Sequence, residues 1–173
     1  LNFRSLLWKY GKQPIEVMPE LVQYCNVIMG NIWAANTLLG IPLNEKLIAA
    51  KEFTIHATET AREIFRQYPH SHWVANTYRF DGQADDIRYF ATLDKRDGQV
   101  LSPVFQTRSV VDKVGSGDCF MAGLIYGISS GHSATEIIGY AAAAAFAKLQ
   151  EKGDATQNSV EKVKTYLANP VIN

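Results

Sequence analysis

"VDKVGSGDCFMAGLIYG", residues 111–127, changes character abruptly at the Gly-Ser-Gly of residues 115–117. The preceding Val110 and Val111 are typical of the end of an apolar strand, and an apolar pattern of helical period covers 119–130. Glycines at such a turn let backbone N–H groups converge because no Cβ stands in the way. The positive end of the following helix adds to the attraction for an anion. The stretch therefore predicts a binding place for anionic oxygens at a strand-to-helix corner.

Asp118 follows these glycines at the start of the predicted helix. An ionised carboxylate beside an anion pocket repels the anion, which favours a task other than binding. It can accept a proton from a hydroxyl group while the backbone amides hold a transferring phosphoryl group. The alternative is that Asp118 only caps the helix and the glycines only turn the chain. The stretch is not a Walker A loop, because the Gly-x-x-x-x-Gly-Lys-[Ser/Thr] spacing is absent.

Composition limits the class of protein. The chain has 173 residues, the size of one ordinary domain, and a formal net charge of zero with no basic cluster. Nucleic-acid proteins normally need a basic face, so we expect no nucleic-acid partner. Cys25 and Cys119 form no disulfide framework and no secretory signal is present, which favours the cytoplasm. The apolar stretches are shorter than a membrane span, so we expect no membrane partner.

Strands alternate with helices along the chain, which predicts an α/β layered fold. The run NVIMGN at 26–31 is apolar almost throughout, as in a strand covered on both faces. Asn31 can cap one helix, and Ser133 with Glu136 forms a capping box for another. The predicted helices cover 14–25, 32–39, 44–68 with a break near 53–56, 119–130, 133–150 and a last one that Asn158 and Glu161 begin. The predicted strands cover 26–31, 72–80 and a hairpin around the turn at 95–98.

The sixteen residues DKVGSGDCFMAGLIYG, 112–127, resemble the C-terminal signature of the PfkB (ribokinase-like) carbohydrate kinases. In that family an Asp-x-Val-Gly-[Ala/Ser]-Gly-Asp segment precedes an aromatic residue, Ala-Gly and a helix of small residues. The resemblance implies a three-layer αβα fold, with ATP and Mg²⁺ as cofactors. It also implies that Asp118 is the catalytic base, that Gly115, Ser116 and Gly117 form the anion hole, and that Asp112 helps shape this loop.

The opening residues LNFRSLLW resemble the Asp-x-Asn-x-Arg segment, with its following Leu-Trp, of 2-keto-3-deoxygluconate kinases in this family; the leading Asp would fall before residue 1. The likeness implies that Asn2 and Arg4 line the substrate side. Arg4 would make a forked, charge-assisted contact with the carboxylate of a sugar acid. A surface arginine at a chain terminus explains the same residue. The implied reaction is ATP-dependent phosphorylation of 2-keto-3-deoxygluconate to its 6-phosphate. The alternatives are a kinase of a neutral sugar, such as fructose or ribose, and a catalytically silent nucleotide-binding module.

The resemblance also points to residues on the nucleotide side. GNIWAAN, 30–36, lies where the family has Asn-x-x-Glu, a motif associated with magnesium and phosphate placement. Asn31 is present, but Ala34 replaces the Glu, and we expect no protein-built metal site. Thr77 and Arg79, in VANTYRF, are candidates for phosphate contacts, although an exposed strand arginine is an ordinary feature.

Further candidates for nucleotide contacts are Gly115 and Gly117 of the anion hole and Ala142 in the alanine run 141–145. The small side chains of that run would suit a shallow wall beside adenine. A helix packed tightly on its neighbour explains the same alanines without ATP. Asp154, in KGDAT after that run, is a candidate for the rim of the site.

The resemblance covers nearly the whole chain but only the C-terminal half of a family member, and the first residue is Leu. We therefore expect residues 1–173 to form the nucleotide-binding, catalytic half of a sugar kinase. The part expected before Leu1 would contain the first sugar-binding glycine motif, several strands and the small lid. Without that part we expect little or no kinase activity. We expect the full-length protein to bind a small-molecule sugar acid and ATP and to form a homo-oligomer.

Overall fold

The computed structural model describes residues 1–81 and 86–172. These residues form seven α-helices and six strands, with a short 3-10 helix at Ser5–Leu7. The helices are α1 Pro14–Val22, α2 Ile32–Leu39, α3 Glu45–Ala49, α4 Phe53–Gln67, α5 Ser116–Ser129, α6 Ala134–Lys148 and α7 Val160–Ala168. The strands are β1 Val27–Gly30, β2 Trp73–Asp81, β3 Ile87–Lys95, β4 Gly98–Leu101, β5 Phe105–Thr107 and β6 Val171–Ile172.

The strands form a mixed sheet in the order β1-β2-β3-β5-β6, and β4 pairs with β3. β1 and β2 are parallel, with Val27 opposite Trp73, and β5 and β6 are also parallel. β3 and β5 are antiparallel, with Ile87 opposite Thr107. A mixed sheet with helices between its strands confirms the predicted α/β class, and the pairing of β3 with β4 confirms the predicted hairpin.

The chain divides into two compact units. The first contains Leu1–Asn76 and Thr92–Gln99, and the second contains Thr77–Ala91 and Val100–Asn173. A buried apolar cluster forms the core of the first unit, because one face of α2 and one face of α4 carry apolar residues at helical spacing. Its members are Val22, Ile28, Ala34, Ala35, Leu38, Leu39, Ile41, Ala61, Ile64, Phe65, Tyr68 and Val74.

In the second unit, α5 and α6 lie so close that the contact requires a glycine. A Cβ added to Gly123 would lie 2.6 Å from the Cα of Ala141. On α6, the ring of Phe146 packs against that of Phe105 from β5, with centroids 5.2 Å apart. The small residues of α5 and α6 therefore fix the two helices against each other, and this contact helps to position the first turn of α5.

Two helix starts agree with the capping predictions. The Oδ1 of Asn31 accepts the N–H of Ala34 at 2.8 Å and caps α2. Ser133 and Glu136 form the predicted capping box of α6. Such bonds join residues three positions apart, which is why sequence spacing predicts them. No helix within the described ranges has the length and the apolar character needed to cross a bilayer.

The start of α7 differs from the prediction. Its N-cap is Ser159, whose Oγ accepts the N–H of Lys162 at 3.2 Å, and not Asn158. The side chain of Asn158 instead donates to the Oγ1 of Thr156 at 3.1 Å, so it is not available as a cap. β1 also differs, because its side chains alternate between half-buried and buried and are not enclosed throughout.

Candidate active site

The chain enters α5 through a turn at Gly115 that requires glycine. Gly115 is the N-cap of α5, and its φ of +77° is a left-handed conformation that residues with a Cβ disfavour. A Cβ at this position would lie 1.8 Å from the carbonyl oxygen of Asp154. No other residue fits unless the backbone moves. The segment that contains Asp154 therefore lies directly against the predicted anion-binding turn.

α5 begins at Ser116, three residues before the predicted start at Cys119. Its first helical hydrogen bond runs from the N–H of Cys119 to the carbonyl oxygen of Gly115, at 2.9 Å. The amides of residues 116–118 precede that bond, and first-turn amides have no acceptor within their own helix. Together with the positive end of α5 they can bind anionic oxygens. We call the backbone of residues 115–118 the amide cradle.

The residues before the amide cradle are not a strand, contrary to the prediction for Val110 and Val111. β5 ends at Thr107, and the N–H of Val111 donates to the carbonyl oxygen of Leu149 at 2.8 Å. That carbonyl lies just after α6, so the end of a helix holds this backbone and no strand ladder forms. Two β-branched residues are too short a signal to distinguish these arrangements.

Asp112 ties the loop before the cradle to the segment after α6. Its Oδ1 accepts the N–H of Val114 at 3.0 Å, and its Oδ2 accepts the N–H of Gly153 at 2.9 Å. These two backbone donors lower the pKa of Asp112 because they stabilise its ionised form, and the N–H of Val114 has the larger effect. The bonds confirm that Asp112 helps to shape this loop.

Ser116, Gly117 and Asp118 form the first turn of α5 and differ in exposure. Ser116 is buried, and its hydroxyl donates to the carbonyl oxygen of Lys113 at 3.1 Å. Gly117 and Asp118 are exposed. Asp118 is not the cap of α5, since that position is Gly115. The arrangement leaves an accessible carboxylate beside the amide cradle, where it can accept a proton.

A cavity of about 620 Å³ adjoins the loop that leads to the cradle. Its lining includes two cations, Arg108 and Lys113, and the carboxylates of Asp81, Asp86 and Asp112. The Nζ of Lys113 lies 3.1 Å from the Oδ1 of Asp81, in an exposed ion pair. Exposed pairs of this kind are weak, so Lys113 can exchange its partner for a phosphate oxygen at little cost. The cavity therefore offers cationic contacts next to the amide cradle.

Thr77 and Arg79, predicted on the nucleotide side, lie on β2 close to the buried phenol of Tyr89. Burial raises the pKa of Tyr89, while the charge of Arg79 and a hydrogen bond with the Thr77 side chain lower it. The Cys119 thiol, in the first turns of α5, adds a small increase. Tyr89 therefore lies within electrostatic range of both β2 and α5. The structure thus places Thr77 and Arg79 around Tyr89, and their contact with a phosphate stays a prediction.

Asn2 and Arg4, predicted near the sugar, and Asn31, predicted on the nucleotide side, all belong to the first unit. Asn2 and Asn31 line a cavity of about 220 Å³ together with Trp33 and Ala34. Ala34 stands where the family motif has Glu, so this wall contains a methyl group in place of a carboxylate. Arg4 is exposed, precedes the 3-10 helix and lies outside that lining. The structure therefore brings Asn2 and Asn31 together but does not bring Arg4 to them.

Ala142 is fully buried within α6, as are its neighbours Ala141 and Ala143. In this position its side chain has no exposed surface to offer to a nucleotide. The close approach of Gly123 to Ala141 shows that this part of α6 is a packing surface for α5. Of the two explanations for the alanine run, the structure therefore supports tight helix packing.

Sequence reasoning missed Lys148, which ends α6 and is fully buried. A lysine in the last turn of a helix is common at the surface, where it interacts with the negative end of the helix dipole. Its position therefore contains no signal of burial. The backbone contact of Asp154 with Gly115 was missed as well, because the sequence does not show which segment lies against a glycine turn.

The pfkB family carbohydrate kinase model matches residues 1–162. Among solved structures, 2-dehydro-3-deoxygluconokinase from Thermotoga maritima is 27% identical with a TM-score of 0.83, over 98% of this chain and 49% of that chain. A PfkB family carbohydrate kinase from Listeria grayi is 20% identical with a TM-score of 0.79, over 98% and 49%. An E. coli protein in complex with ATP and Mg²⁺ is 15% identical with a TM-score of 0.63, over 90% and 45%.

This chain spans about half the length of these solved structures. The last two similarities concern the fold alone, and no curated protein matches the chain. The fold agrees with the ribokinase-like α/β architecture that the motif at 112–127 predicted. Because the family model extends over nearly the whole sequence, the chain belongs to the pfkB family of carbohydrate kinases.

Proposed function

We propose that this chain supplies the nucleotide-binding and catalytic part of an ATP-dependent kinase that converts 2-keto-3-deoxygluconate to its 6-phosphate. The observation that carries the proposal is the exposed carboxylate of Asp118 beside the amide cradle. Membership in the pfkB family supports the reaction class. The similarity to the Thermotoga maritima enzyme supports a sugar acid as the substrate.

In the proposed reaction, Asp118 accepts the proton of the primary hydroxyl of the sugar as that oxygen attacks the γ-phosphorus of ATP. The bond from phosphorus to the bridging oxygen breaks, and ADP leaves with the electron pair. The cradle amides donate to the phosphoryl oxygens, where they stabilise the negative charge of the transition state. Ser116 supports this geometry through its bond to the carbonyl oxygen of Lys113. The proton then passes from Asp118 to water.

The second unit fits a polyphosphate. Amides 116–118 suit terminal phosphate oxygens, Arg108 and Lys113 supply positive charge in the adjoining cavity, and we infer that Arg79 is a further phosphate contact. Among the residues that the structure describes, no group of three or more His, Cys, Asp or Glu could hold a metal ion. We infer that Mg²⁺ is held mainly by phosphate oxygens and water, as this ion commonly is. When bound, it neutralises charge on the β- and γ-phosphates.

Two alternatives have support from particular residues. Arg4 lies outside the cavity that Asn2 and Asn31 line, which favours a neutral sugar such as fructose or ribose. Ala34 in place of the family Glu favours a catalytically silent nucleotide-binding module. Side-by-side kinetics on the keto-deoxy acid and the neutral sugars separate the first alternative, because Arg4→Ala should impair only the acid reaction. Tight ATP binding without ADP release identifies the second.

The proposal extends to the setting of the protein. We infer a cytoplasmic homo-oligomer whose partners are the sugar acid and ATP and not nucleic acid or a membrane. The free thiols of Cys25 and Cys119 fit a reducing compartment. We also infer that residues 1–173 correspond to the C-terminal half of the kinase, and that this half alone has little activity.

The central test is Asp118→Asn in the full-length protein, with ADP release and ATP binding measured on the same preparations. We expect kcat to fall by about a thousandfold, because the general base is lost, while ATP affinity changes by less than about threefold. Asp97→Asn, which replaces an exposed carboxylate in the turn after β3, is the control and should behave as the wild type. Equal losses of ATP binding and turnover in D118N would indicate a structural role and contradict the proposal.

A further inference from the structure

Lys148 is a charged residue in an unusual place. It is 0% exposed, and its Nζ donates a hydrogen bond to the carbonyl oxygen of Glu151 at 2.8 Å. Removing an ammonium group from water is costly unless other dipoles and charges replace its hydration. At the end of α6 an exposed lysine would gain from the helix dipole without that cost. Stability alone therefore gives no reason to bury Lys148.

The charge of Lys148 acts on two groups next to the amide cradle, the Asp112 carboxylate and the Cys119 thiol. The pKa of Asp112 is lowered first by its two backbone donors and then by the charge of Lys148. Burial raises the pKa of the Cys119 thiol. The positive charge of Lys148 lowers this pKa, and the negative charges of Glu151 and Asp118 raise it. The geometry agrees, because Lys148 binds the carbonyl oxygen of Glu151 and the nearby N–H of Gly153 binds Asp112. The buried charge thus belongs to the surroundings of the cradle.

The carbonyl that Lys148 binds is part of the turn after α6, residues 149–154, which we call the support turn. The Glu151 carboxylate stabilises the end of this turn by accepting the N–H of Gln157 at 3.1 Å. Three backbone groups of the support turn meet the segment 111–115. They are the carbonyl of Leu149 with the N–H of Val111, the N–H of Gly153 with Asp112, and the carbonyl of Asp154 against Gly115.

We propose that Lys148 is a positioning residue for phosphoryl transfer, a built-in cation whose bond to Glu151 holds the support turn and thereby keeps the amide cradle in place. The inference rests on the proposed function, because it assigns Lys148 to the same site. Lys148 acts through the support turn and not on the reacting atoms. Its charge also offsets part of the negative charge that Asp112, Asp118 and a bound phosphoryl group concentrate there.

The test uses three variants of the full-length protein. Lys148→Met removes the charge and keeps most of the bulk, and Lys148→Ala removes both and leaves space for an added amine. Lys152→Met removes an exposed lysine of the support turn and is the control. For each, kcat and the KM for ATP come from ADP release and folding from the melting temperature. Measurements are repeated with propylammonium and with propanol, which has similar size but no charge.

We expect K148M to lower kcat at least about tenfold while the KM for ATP changes less than about threefold, because a misplaced cradle impairs the transition state more than binding. Propylammonium should restore kcat in K148A, which has room for it, and not in K148M. Propanol should restore neither variant. K152M should match the wild type throughout.

Wild-type kcat in a folded K148M, or a loss in K148A that propylammonium does not reverse, overturns the inference. Failure of both Lys148 variants to fold, while K152M folds, overturns it as well, because Lys148 would then serve stability and not positioning. If the wild-type protein itself releases no ADP from ATP and sugar, the proposed function fails. The two failures are therefore distinguishable.

Discussion

Replacing Gly115 by Ala tests the contact on which the amide cradle depends. The new Cβ would lie 1.8 Å from the carbonyl oxygen of Asp154, whereas real Cβ contacts essentially never fall below 3.0 Å. The support turn or the cradle must therefore move by more than 1 Å. The φ of +77° costs about 1–2 kcal/mol for a residue with a Cβ, and overpacking adds about 1–3 kcal/mol. We expect the free energy of unfolding to fall by about 2–5 kcal/mol in total.

Gly131→Ala is the matched control for Gly115→Ala. Gly131 follows α5 with a φ of +69°, and a Cβ there would meet nothing within 4 Å. It therefore has the backbone strain, about 1–2 kcal/mol, without the contact. Urea unfolding of both variants measures stability, and ADP release by the full-length protein measures kcat, which we expect to fall about a hundredfold in G115A. Equal unfolding free energies and equal kcat values in the two variants would refute the reasoning.

Two further predictions concern single buried positions. Burial raises the pKa of Asp94 to about 6, above its unfolded value, so its contribution to stability should fall by about 2 kcal/mol as pH rises from about 4 to 6. Urea unfolding across this range should show a weaker pH dependence in Asp94→Asn than in the wild type or Asp97→Asn, and parallel curves would contradict the assignment. Gly123→Ala should destabilise by about 1–3 kcal/mol, because its Cβ would meet the Ala141 backbone at 2.6 Å. Gly139→Ala should be near neutral, because its Cβ would meet the end of the Leu167 side chain at 3.3 Å and the Pro103 ring at an ordinary 3.8 Å. Equal melting temperatures of the two variants would refute the distinction.

Helix caps and the family motif could be predicted because short spans of chain determine them. Asn31 and Ser133 each accept a hydrogen bond from an amide three residues later. The sequence shows both the residue type that can cap a helix and the three-residue spacing to the amide that it caps. The exposed position of Asp118 beside its glycines follows from the same short-range order, since a helix start presents its first-turn residues next to one another.

The start of α5 and the course of the chain before it could not be predicted in the same way. α5 begins three residues early, at Ser116, whose hydroxyl turns back to the carbonyl oxygen of Lys113. Val111 is bonded to Leu149 and not to a neighbouring strand. Each of these outcomes depends on a partner whose availability the local pattern does not reveal.

By itself, the sequence determined the α/β class, the family and the position of Asp118 directly after the glycine turn. Each of these depends on residue types at short and regular spacing. Only the tertiary structure decided what supports that turn. α6 and the turn after it pack against α5 and the loop before it. The Asp154 backbone therefore leaves no room for a Cβ at Gly115, and the Lys148 side chain is buried. Burial and close contact depend on what surrounds a residue in space, and neighbours along the chain do not specify those surroundings.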